Sequence, residues 1–392
     1  MVFINNANDS VMPVTIDLEA SKSIANRMII LQNLYFPQLN LYNIPLSDDT
    51  KYLFNALENV KTGSNTLYAG DGGTTLRFLM AWAMVQNKEI TINASPSLLK
   101  RPFIELVKAL NNSGFDIRFG ENFEIRPTDL NTIKPRWQID VTQSSQFASA
   151  LALIAPAMPF DVVIDLKGNS VSSSYLDMTI QLMQFMGLSI KKIGNKITSR
   201  PFQKSYQKFD FNIESDWSAA SYFVGFAILE RRELIIQNIS KSVLQPDIAI
   251  LKFAETLGVN HSFEENRIIL KPFSNFNFPT KIIRDYTLCP DIYPTEKVIC
   301  HLLNIELIAS GIEHLQHKES NRVDVLNLEL QKLVLENPVF DTHHDHRIAM
   351  SLALCAARKN IKIKNPEVVS KSFPDFWNQF KKLGFNISEI GE

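Results

Sequence analysis

Basic and hydroxyl side chains cluster just ahead of an apolar run near the amino terminus. Ser21, Lys22, Ser23 and Arg27 precede the run Met28–Leu31. A serine at this place can cap a helix, which leaves backbone N–H groups available to an anion. In a helix that begins here, Ser23 and Arg27 are four residues apart and share one face. A hydroxyl, a lysine charge and an arginine fork suit a phosphate group, although a capped surface helix fits the same spacing.

A glycine-rich segment forms a second candidate for anion binding. Three of the chain's 14 glycines lie between Gly70 and Gly73, ahead of a helical run that contains Arg77. Glycines before a helix let backbone N–H groups approach an anion closely. The segment is not a P-loop, because no Gly-Lys-Ser/Thr follows, and it is not a G-x-G-x-x-G motif. It predicts either an anion-binding helix start or a tight turn.

Hydroxyl and amide groups also gather at two further helix starts. Ser144, Ser145 and Gln146 open one apolar helix, and the segment 172–175 opens another. Consecutive hydroxyls suit a polyol or a phosphate, but simple capping of the helix explains them equally well.

The densest charged clusters lie in the last quarter of the chain. Lys318 and Arg322 are four residues apart, so a helical turn places both cations on one side, beside Glu319. An exposed charged face is the alternative. The histidines in the segment 343–346 are typical of a metal tract, but a usable site needs a further ligand from elsewhere and a fixed geometry. We therefore predict no metal site.

The elements that must position these clusters follow a recurring pattern. An amphipathic helix ends in glycine and a short β-like run follows, and glycine suits this joint because it accepts a positive φ. The joints are at Gly114, Gly187, Gly258 and Gly384, spaced 73, 71 and 126 residues apart. Two degenerate copies, at 53–57 and 328–333, fill the gaps. The pattern predicts six α/β units of about 55 to 75 residues, with chance recurrence of a common joint as the alternative.

Composition narrows the classes of function. The 392 residues have ordinary hydrophobic content and a net charge of −1, so no bulk basic field points to nucleic acid or to a membrane surface. The apolar stretch 148–160 is too short for a bilayer. The first residues lack a basic region followed by an apolar one, so we expect no secretory signal, and three cysteines without C-x-x-C spacing disfavour a disulfide framework. We predict a cytoplasmic protein of two or three domains.

The order of the short motifs is more specific than any one of them. Along the chain come S-K-S-x-x-N-R from Ser21, G-x-x-G-T-x-x-R from Gly70, K-R-P from Lys100, S-S-Q-F from Ser144, E-x-D-x-S-x-A-S-Y-F from Glu214, Pro290-Asp291, K-E-x-x-R from Lys318, D-H-R-x-A-M from Asp345 and K-S-F-P-D from Lys371. In this order the chain resembles the EPSP synthase (3-phosphoshikimate 1-carboxyvinyltransferase) family over essentially its whole length.

The resemblance implies an α/β fold of two similar domains, each built from three βαβαββ units in an inside-out α/β barrel. That agrees with the six units counted from the glycine joints. It also implies a discontinuous first domain, residues 1–21 with 214–392, and a second domain, residues 22–213. The active site is expected in the cleft between the domains.

The resemblance implies a reaction as well. The enolpyruvyl group of phosphoenolpyruvate moves to the 5-hydroxyl of shikimate 3-phosphate, through a tetrahedral adduct, with release of phosphate. No metal or organic cofactor is expected, and the partners are these two small molecules, bound by a monomer. Two anionic substrates in one cleft require concentrated cations. Although the chain is neutral overall, the motifs contain eight: Lys22, Arg27, Arg77, Arg101, Lys318, Arg322, Arg347 and Lys371.

Residue roles follow from the matched motifs. Asp291 is expected to accept the hydroxyl proton, Glu319 to protonate the enol methylene, and Lys22 to take part in catalysis. The residues expected to bind shikimate 3-phosphate are Lys22, Ser23, Arg27, Ser144, Ser145, Gln146, Ser172, Asp291 and Lys318. Those expected to bind phosphoenolpyruvate are Lys22, Gly73, Arg101, Gln146, Arg322, Arg347 and Lys371.

Some positions depart from the family pattern. Asp71 stands where an Asn is expected, Phe78 where a Pro is common, and His314 where an Asn would help to bind shikimate 3-phosphate. The segment 292–302 is more polar than the small-residue helix expected there. The alternatives are the sister enolpyruvyl transferase that acts on UDP-N-acetylglucosamine and a degenerate, non-catalytic relative. The first is disfavoured because no cysteine precedes Cys289.

Overall fold

The fold consists of two compact units, one built from two separate segments of the chain and the other from a single segment. The structure, a computed structural model, describes residues 1–6, 13–168, 173–203 and 209–390. The terminal unit comprises Met1–Ser21 and Glu214–Glu392, and the central unit comprises Lys22–Ile213. The chain leaves and re-enters the terminal unit side by side, since the Ser21 N–H donates to the Glu214 carbonyl at 2.8 Å.

Helices and strands alternate along the chain as the glycine joints predict. The terminal unit opens with strands β1 (Val2–Asn6) and β2 (Val14–Asp17). The helices of the central unit are α1 (Lys22–Leu34), α2 (Asp48–Lys61), α3 (Gly73–Met84), α4 (Pro96–Leu99), α5 (Ile104–Ser113), α6 (Ser145–Ile154) and α7 (Ser173–Phe185). Its strands are β3 (Asn40–Tyr42), β4 (Thr66–Tyr68), β5 (Ile90–Asn93), β6 (Asp116–Phe119), β7 (Phe123–Arg126), β8 (Arg136–Asp140), β9 (Val162–Lys167), β10 (Ile190–Ile193), β11 (Lys196–Ser199) and β12 (Asp210–Asn212).

The remaining elements complete the terminal unit. Its helices are α8 (Trp217–Glu230), α9 (Ile250–Thr256), α10 (Tyr293–Leu302), α11 (Arg322–Gln331), α12 (His346–Ala353) and α13 (Phe376–Lys382). Its later strands are β13 (Leu234–Gln237), β14 (Val259–Glu264), β15 (Arg267–Pro272), β16 (Lys281–Asp285), β17 (Glu306–Ser310), β18 (Val339–Phe340), β19 (Ile361–Ile363) and β20 (Phe385–Glu389).

One sheet pattern recurs in both units. In the order β4-β5-β7-β6, two parallel strands are followed by an antiparallel pair, and β8-β9-β11-β10 repeats this arrangement. The terminal unit contains β2-β13-β15-β14 and β18-β19-β1-β20 in the same pattern, with the amino-terminal strand β1 completing the last sheet. Within the described ranges, the third sheet of each unit is only a parallel pair, β3 with β12 and β16 with β17.

The core of each unit is formed by helices that the sheets cover. In the central unit α1, α3 and α6 pack on one another, and in the terminal unit α10 packs on α8 and α12. Helix α8 is buried on every side except near its end, as expected for a helix that is apolar all round. The predicted α/β class with repeated units is confirmed. All four glycine joints have φ between 70° and 108°, which requires glycine or strain.

No helix in the described part of the chain is long and apolar enough to cross a membrane.

Candidate active site

In the central unit, Lys22 and Arg27 lie on the first turns of α1, where the sequence places them. The Lys22 Nζ is 2.8 Å from the Asp49 carboxylate, and both side chains are mostly buried. The Arg27 guanidinium donates to the Ser23 carbonyl at 2.6 Å and to the Thr179 hydroxyl at 2.7 Å. Helix α7 therefore fixes Arg27 from the opposite side, which the sequence spacing did not reveal.

Burial lowers the pKa of the Arg27 guanidinium. Its side chain is almost fully enclosed, and desolvation lowers its pKa to about 10, so it still keeps its charge at neutral pH. The guanidinium carbon lies 5.4 Å from the centre of the Phe78 ring. A cation over an aromatic face is favourable. Phe78, a departure from the family pattern, thus forms part of the support of Arg27.

The glycine-rich segment forms the amino end of α3, with Gly72 as the cap and Gly73 as the first helical residue. The Arg77 Nη1 donates to the Gly73 carbonyl at 2.7 Å, and Arg77 also binds the Pro102 carbonyl. A Cβ at Gly73 would lie 2.6 Å from both the Arg77 Nη1 and the Arg101 Nη2. Two guanidinium groups thus lie at the amino terminus of α3, and a side chain at Gly73 would have to displace the ends of both arginine side chains.

Helix α6 contributes the hydroxyl-rich residues. Ser144 caps it by accepting from the Gln146 N–H at 3.2 Å, as the capping interpretation predicts. The Gln146 side chain donates to the Thr74 hydroxyl at 3.1 Å and so connects the start of α6 to the start of α3. Ser145 is buried in the first turn of α6. Ser172 lies outside the described residues.

In the terminal unit, Asp291 lies between two arginines. It occupies a 3-10 turn, Pro290–Ile292, directly before α10. One carboxylate oxygen accepts from the Arg322 Nη1 at 3.1 Å and the other from the Arg347 Nη2 at 2.9 Å. Arg322 is almost fully buried, so its charge interacts strongly with this carboxylate.

Glu319 forms a second ionic cluster in the same unit. Its Oε2 is 2.7 Å from the His346 Nδ1 and its Oε1 is 3.0 Å from the Lys371 Nζ. Burial opposes ionisation of Glu319, but His346 and Lys371 outweigh it and hold the pKa of this carboxyl well below its usual range. Glu319 is therefore a carboxylate at neutral pH and must accept a proton before it can donate one.

Asp345 is a site residue whose role the sequence did not reveal. It caps α12 by accepting from the Arg347 N–H at 2.9 Å, and it also binds the Arg322 Nε at 2.8 Å. Burial opposes this charge, and Arg322 lowers the pKa of the Asp345 carboxyl. An aspartate just ahead of His346 and Arg347 is a recognisable cap signal, but its partner Arg322 is 23 residues away.

Lys318 and His314 border this cluster. Lys318 ends a 3-10 turn, Glu313–His317, and is partly buried. His314 is buried, and desolvation, with Lys318 as a further cause, lowers its pKa to about 4. The imidazole at this position, where the family pattern has an amide, is therefore neutral at pH 7.

The histidine tract does not act as a unit. His343 contacts Glu329 at 3.1 Å, whereas His346 contacts Glu319. One group of described residues, Glu319, Asp345 and His346, has possible metal-ligating atoms within 4.8 Å of one another. Two of its members already pair with Lys371 and Arg322, so these carboxylates have cationic partners from the chain itself.

The structure thus brings the predicted residues together in two sets, one in each unit. The central set combines the buried Arg27, the paired Lys22, and Arg77 and Arg101 at the start of α3. The terminal set combines three carboxylates with two arginines, a lysine and a histidine: Asp291, Glu319, Asp345, Arg322, Arg347, Lys371 and His346. Cations at helix starts bind phosphate and carboxylate groups, and carboxylates among cations can take up and return protons.

The fold is that of a known class of transferases. The structure matches an EPSP synthase from Acinetobacter baumannii with a TM-score of 0.75, covering 99% of this chain and 100% of that one at 18% identity. A second EPSP synthase structure from the same organism matches with a TM-score of 0.74 and 19% identity, and each chain is fully covered. At this identity the likeness concerns the fold alone.

Sequence comparison gives the family. The model of the EPSP synthase (3-phosphoshikimate 1-carboxyvinyltransferase) family matches residues 58–380. A 3-phosphoshikimate 1-carboxyvinyltransferase of Bacteroides fragilis is 32% identical, with 98% of each chain covered. One of Idiomarina loihiensis is 28% identical over 94% of this chain and 96% of the relative. The chain belongs to the EPSP synthase family. It is a transferase of the shikimate pathway that moves an enolpyruvyl group to shikimate 3-phosphate.

Proposed function

We propose that the two sets of residues supply the binding and proton-transfer groups of this enolpyruvyl transfer. Shikimate 3-phosphate is bound by Lys22, Ser23, Arg27, Ser144, Ser145, Gln146, Ser172, Asp291 and Lys318. Phosphoenolpyruvate is bound by Lys22, Gly73, Arg101, Gln146, Arg322, Arg347 and Lys371. Because each substrate has ligands in both units, the active site is a cleft that the units share.

Asp291 is the base in the first step. The 5-hydroxyl oxygen of shikimate 3-phosphate attacks C2 of phosphoenolpyruvate, and its proton passes to the Asp291 carboxylate. Arg322 and Arg347 hold both oxygens of this carboxylate, which fixes its orientation and leaves the same arginines beside the anionic cosubstrate. This placement is the observation that carries the proposal.

Glu319 moves the second proton. Its carboxylate takes up a proton as phosphoenolpyruvate enters and delivers it to C3, which completes the tetrahedral adduct. In the second step the bond between C2 and the phosphate oxygen breaks, and the Glu319 carboxylate removes a proton from C3. The departing phosphate receives the proton held by Asp291. The contacts with His346 and Lys371 support this role, because they stabilise the ionised form that the second step needs.

Two variants test the assignment. Asp291→Ala and Glu319→Gln should each lower kcat by at least about 10²-fold, as expected for general acid–base groups. The assay is phosphate release that requires both phosphoenolpyruvate and shikimate 3-phosphate, with circular dichroism to check the fold. Glu336→Gln, which changes an exposed carboxylate of the same unit, is the matched control. Near wild-type turnover in either variant refutes its assigned role.

The proposal also covers the substrate that accepts the enolpyruvyl group, the oligomeric state of the protein and its location in the cell. UDP-N-acetylglucosamine should not replace shikimate 3-phosphate in the assay. The enzyme acts as a monomer in the cytoplasm, consistent with a chain whose binding residues are divided between its own two units. Sedimentation at micromolar concentration tests the monomer, and a stable dimer would contradict it.

A further inference from the structure

A buried ion pair joins the two elements on either side of the turn that bears Asp291. The Glu296 side chain is fully buried, and both of its carboxylate oxygens accept from Arg284, at 2.7 and 3.0 Å. The Tyr286 hydroxyl donates to the same carboxylate at 2.7 Å. Glu296 is one reason that the segment 292–302 is more polar than the family pattern predicts.

The three residues surround Asp291 in the sequence. Arg284 is on β16, Tyr286 follows that strand, and Glu296 lies on the first turns of α10. Asp291 is five residues after Tyr286 and five before Glu296. The pair of Arg284 and Glu296 therefore joins β16, which precedes the turn with Asp291, to α10, which follows it.

Arg284, Tyr286 and Glu296 form a clamp between strand and helix. Its strand side, Arg284 and Tyr286, has further contacts that hold it in place. The Tyr286 N–H donates to the Ser310 carbonyl at 2.9 Å, which ties the end of β16 to β17. The Arg284 Nη2 also donates to the Ala249 carbonyl at 3.4 Å. The Tyr286 ring packs edge-on against Tyr293, with centroids 5.1 Å apart. The clamp is thus fixed on strand and helix, and the 3-10 turn spans the gap.

Stability alone does not explain a buried ion pair at this place. Removing charges from water opposes folding, and well-packed apolar residues often replace such pairs without loss of stability. The preceding residue, Thr295, has hydroxyl contacts to Ser221 of α8 at 3.0 Å and to Ser351 of α12 at 3.5 Å. Directional contacts therefore converge on the first turns of α10, where orientation matters for the adjoining Asp291.

We infer that Glu296, clamped by Arg284 and Tyr286, is a positioning residue that fixes the start of α10 and so places the turn that bears Asp291 for proton transfer, while Arg322 and Arg347 orient the carboxylate itself. The inference rests on the proposed role of Asp291. Glu296 itself touches no substrate and acts through the start of α10.

An apolar replacement separates positioning from stability. The triple variant Arg284→Met, Tyr286→Phe and Glu296→Met removes all three polar groups together and leaves no buried charge or hydroxyl without a partner. We expect its Tm to stay near that of the wild type. Its kcat should fall at least tenfold, while KM for both substrates changes less than threefold. A folded triple variant with kcat within twofold of the wild type overturns the inference.

A conservative variant decides the case in which the triple variant does not fold. Arg284→Lys keeps the charge but loses the two-pronged contact. It should lower kcat severalfold with little change in either KM, and an unchanged kcat overturns the inference. Glu230→Gln, at the end of α8 in an ion pair with Arg358, is the matched control and should keep full kcat. Failure of the proposed function is distinct, since it requires that Asp291→Ala retain turnover.

Discussion

Asp291 and Glu319, the two carboxylates proposed to transfer protons, differ in the residues that balance their charge. Asp291 is held by two guanidinium groups, which fix the positions of both oxygens. Glu319 contacts an imidazole and a flexible ammonium group, which can release it more readily than two fixed forks. The contrast fits a base that keeps one orientation and a second carboxylate that takes up, delivers and recovers a proton.

Gly73 should be sensitive to the smallest side chain. In Gly73→Ala the new methyl group would displace Arg77 and Arg101, the two guanidinium groups at the start of α3. We expect KM for phosphoenolpyruvate to rise at least tenfold, about 1.4 kcal/mol, with a much smaller change for shikimate 3-phosphate. Steady-state kinetics with each substrate varied in turn provide the measurement.

Gly120→Ala is the control for this change, because nothing lies within 4 Å of the added methyl group and its backbone needs no positive φ. Equal KM values for phosphoenolpyruvate in Gly73→Ala and the wild type would remove Gly73 from the proposed site.

Asp71 is in contact with Arg101, one of the residues proposed to bind phosphoenolpyruvate. The hydroxyls of Ser95 and Ser97 donate to it, and the Arg101 Nη1 donates to the Asp71 carbonyl at 3.3 Å. An amide oxygen can accept from the same serines, so Asp71→Asn should remove repulsion and keep the loop. KM for phosphoenolpyruvate should fall, by about five-fold for 1 kcal/mol.

The shikimate 3-phosphate KM is the internal control for Asp71→Asn and should change little. Asp116→Asn, on an exposed strand of the same unit, should leave both constants unchanged. A higher KM for phosphoenolpyruvate in Asp71→Asn would show that the carboxylate is needed.

At the scale of elements, many of the proposed binding and proton-transfer residues lie at the starts of helices or in the turns before them. α1, α3, α6 and α12 each have proposed binding residues in their first turn, and Asp291 lies in the turn before α10. The first turn has unpaired N–H groups and a partial positive charge, so each such helix adds to the field of the cations. Packing of α1, α3 and α6 on one another places their starts within the central unit, and packing of α10 on α8 and α12 does the same for α10 and α12 within the terminal unit.

Asp345 should be important for stability because it both caps α12 and binds the buried guanidinium group of Arg322. Asp345→Ala removes the cap of α12 and leaves the buried Arg322 with one carboxylate partner fewer. We expect a loss of about 3–5 kcal/mol in the free energy of unfolding, as for other broken buried pairs. Urea denaturation followed by circular dichroism measures it.

The comparison is Asp116→Ala, whose partner Arg118 is largely exposed. Surface pairs contribute about 0–1 kcal/mol, so this variant should lose little stability. If the two variants lose the same amount, the buried pair does not have the energetic role described.

At the scale of the whole molecule, the division of proposed ligands between two units predicts closure on binding. Arg27 and Ser144 belong to the central unit and Lys318 to the terminal unit. Shikimate 3-phosphate should draw both units towards itself and reduce the radius of gyration in small-angle scattering. Lys318→Met, which removes the terminal contact, should weaken this response, and inorganic phosphate alone should not produce it. An unchanged radius with saturating shikimate 3-phosphate would count against a shared cleft.

The sequence by itself determined the features that depend on neighbours along the chain. Glycine joints such as Gly114 and Gly384 were readable because the left-handed conformation after a helix excludes most side chains. The cap at Ser144 and the helix start at Gly73 followed from local geometry as well. The ordered motifs gave the family, which the comparisons confirmed.

Only the tertiary structure decided which charges meet. Lys22 pairs with Asp49, Arg347 with Asp291 across 56 residues, and Arg284 with Glu296 inside the core. Sequence spacing cannot reveal such pairs, because they depend on how separate helices and strands pack. Coulomb energies also depend on distance and burial rather than on chain separation. The lowered pKa of Glu319 and the pairing of Arg284 with Glu296 are therefore properties of the packed fold.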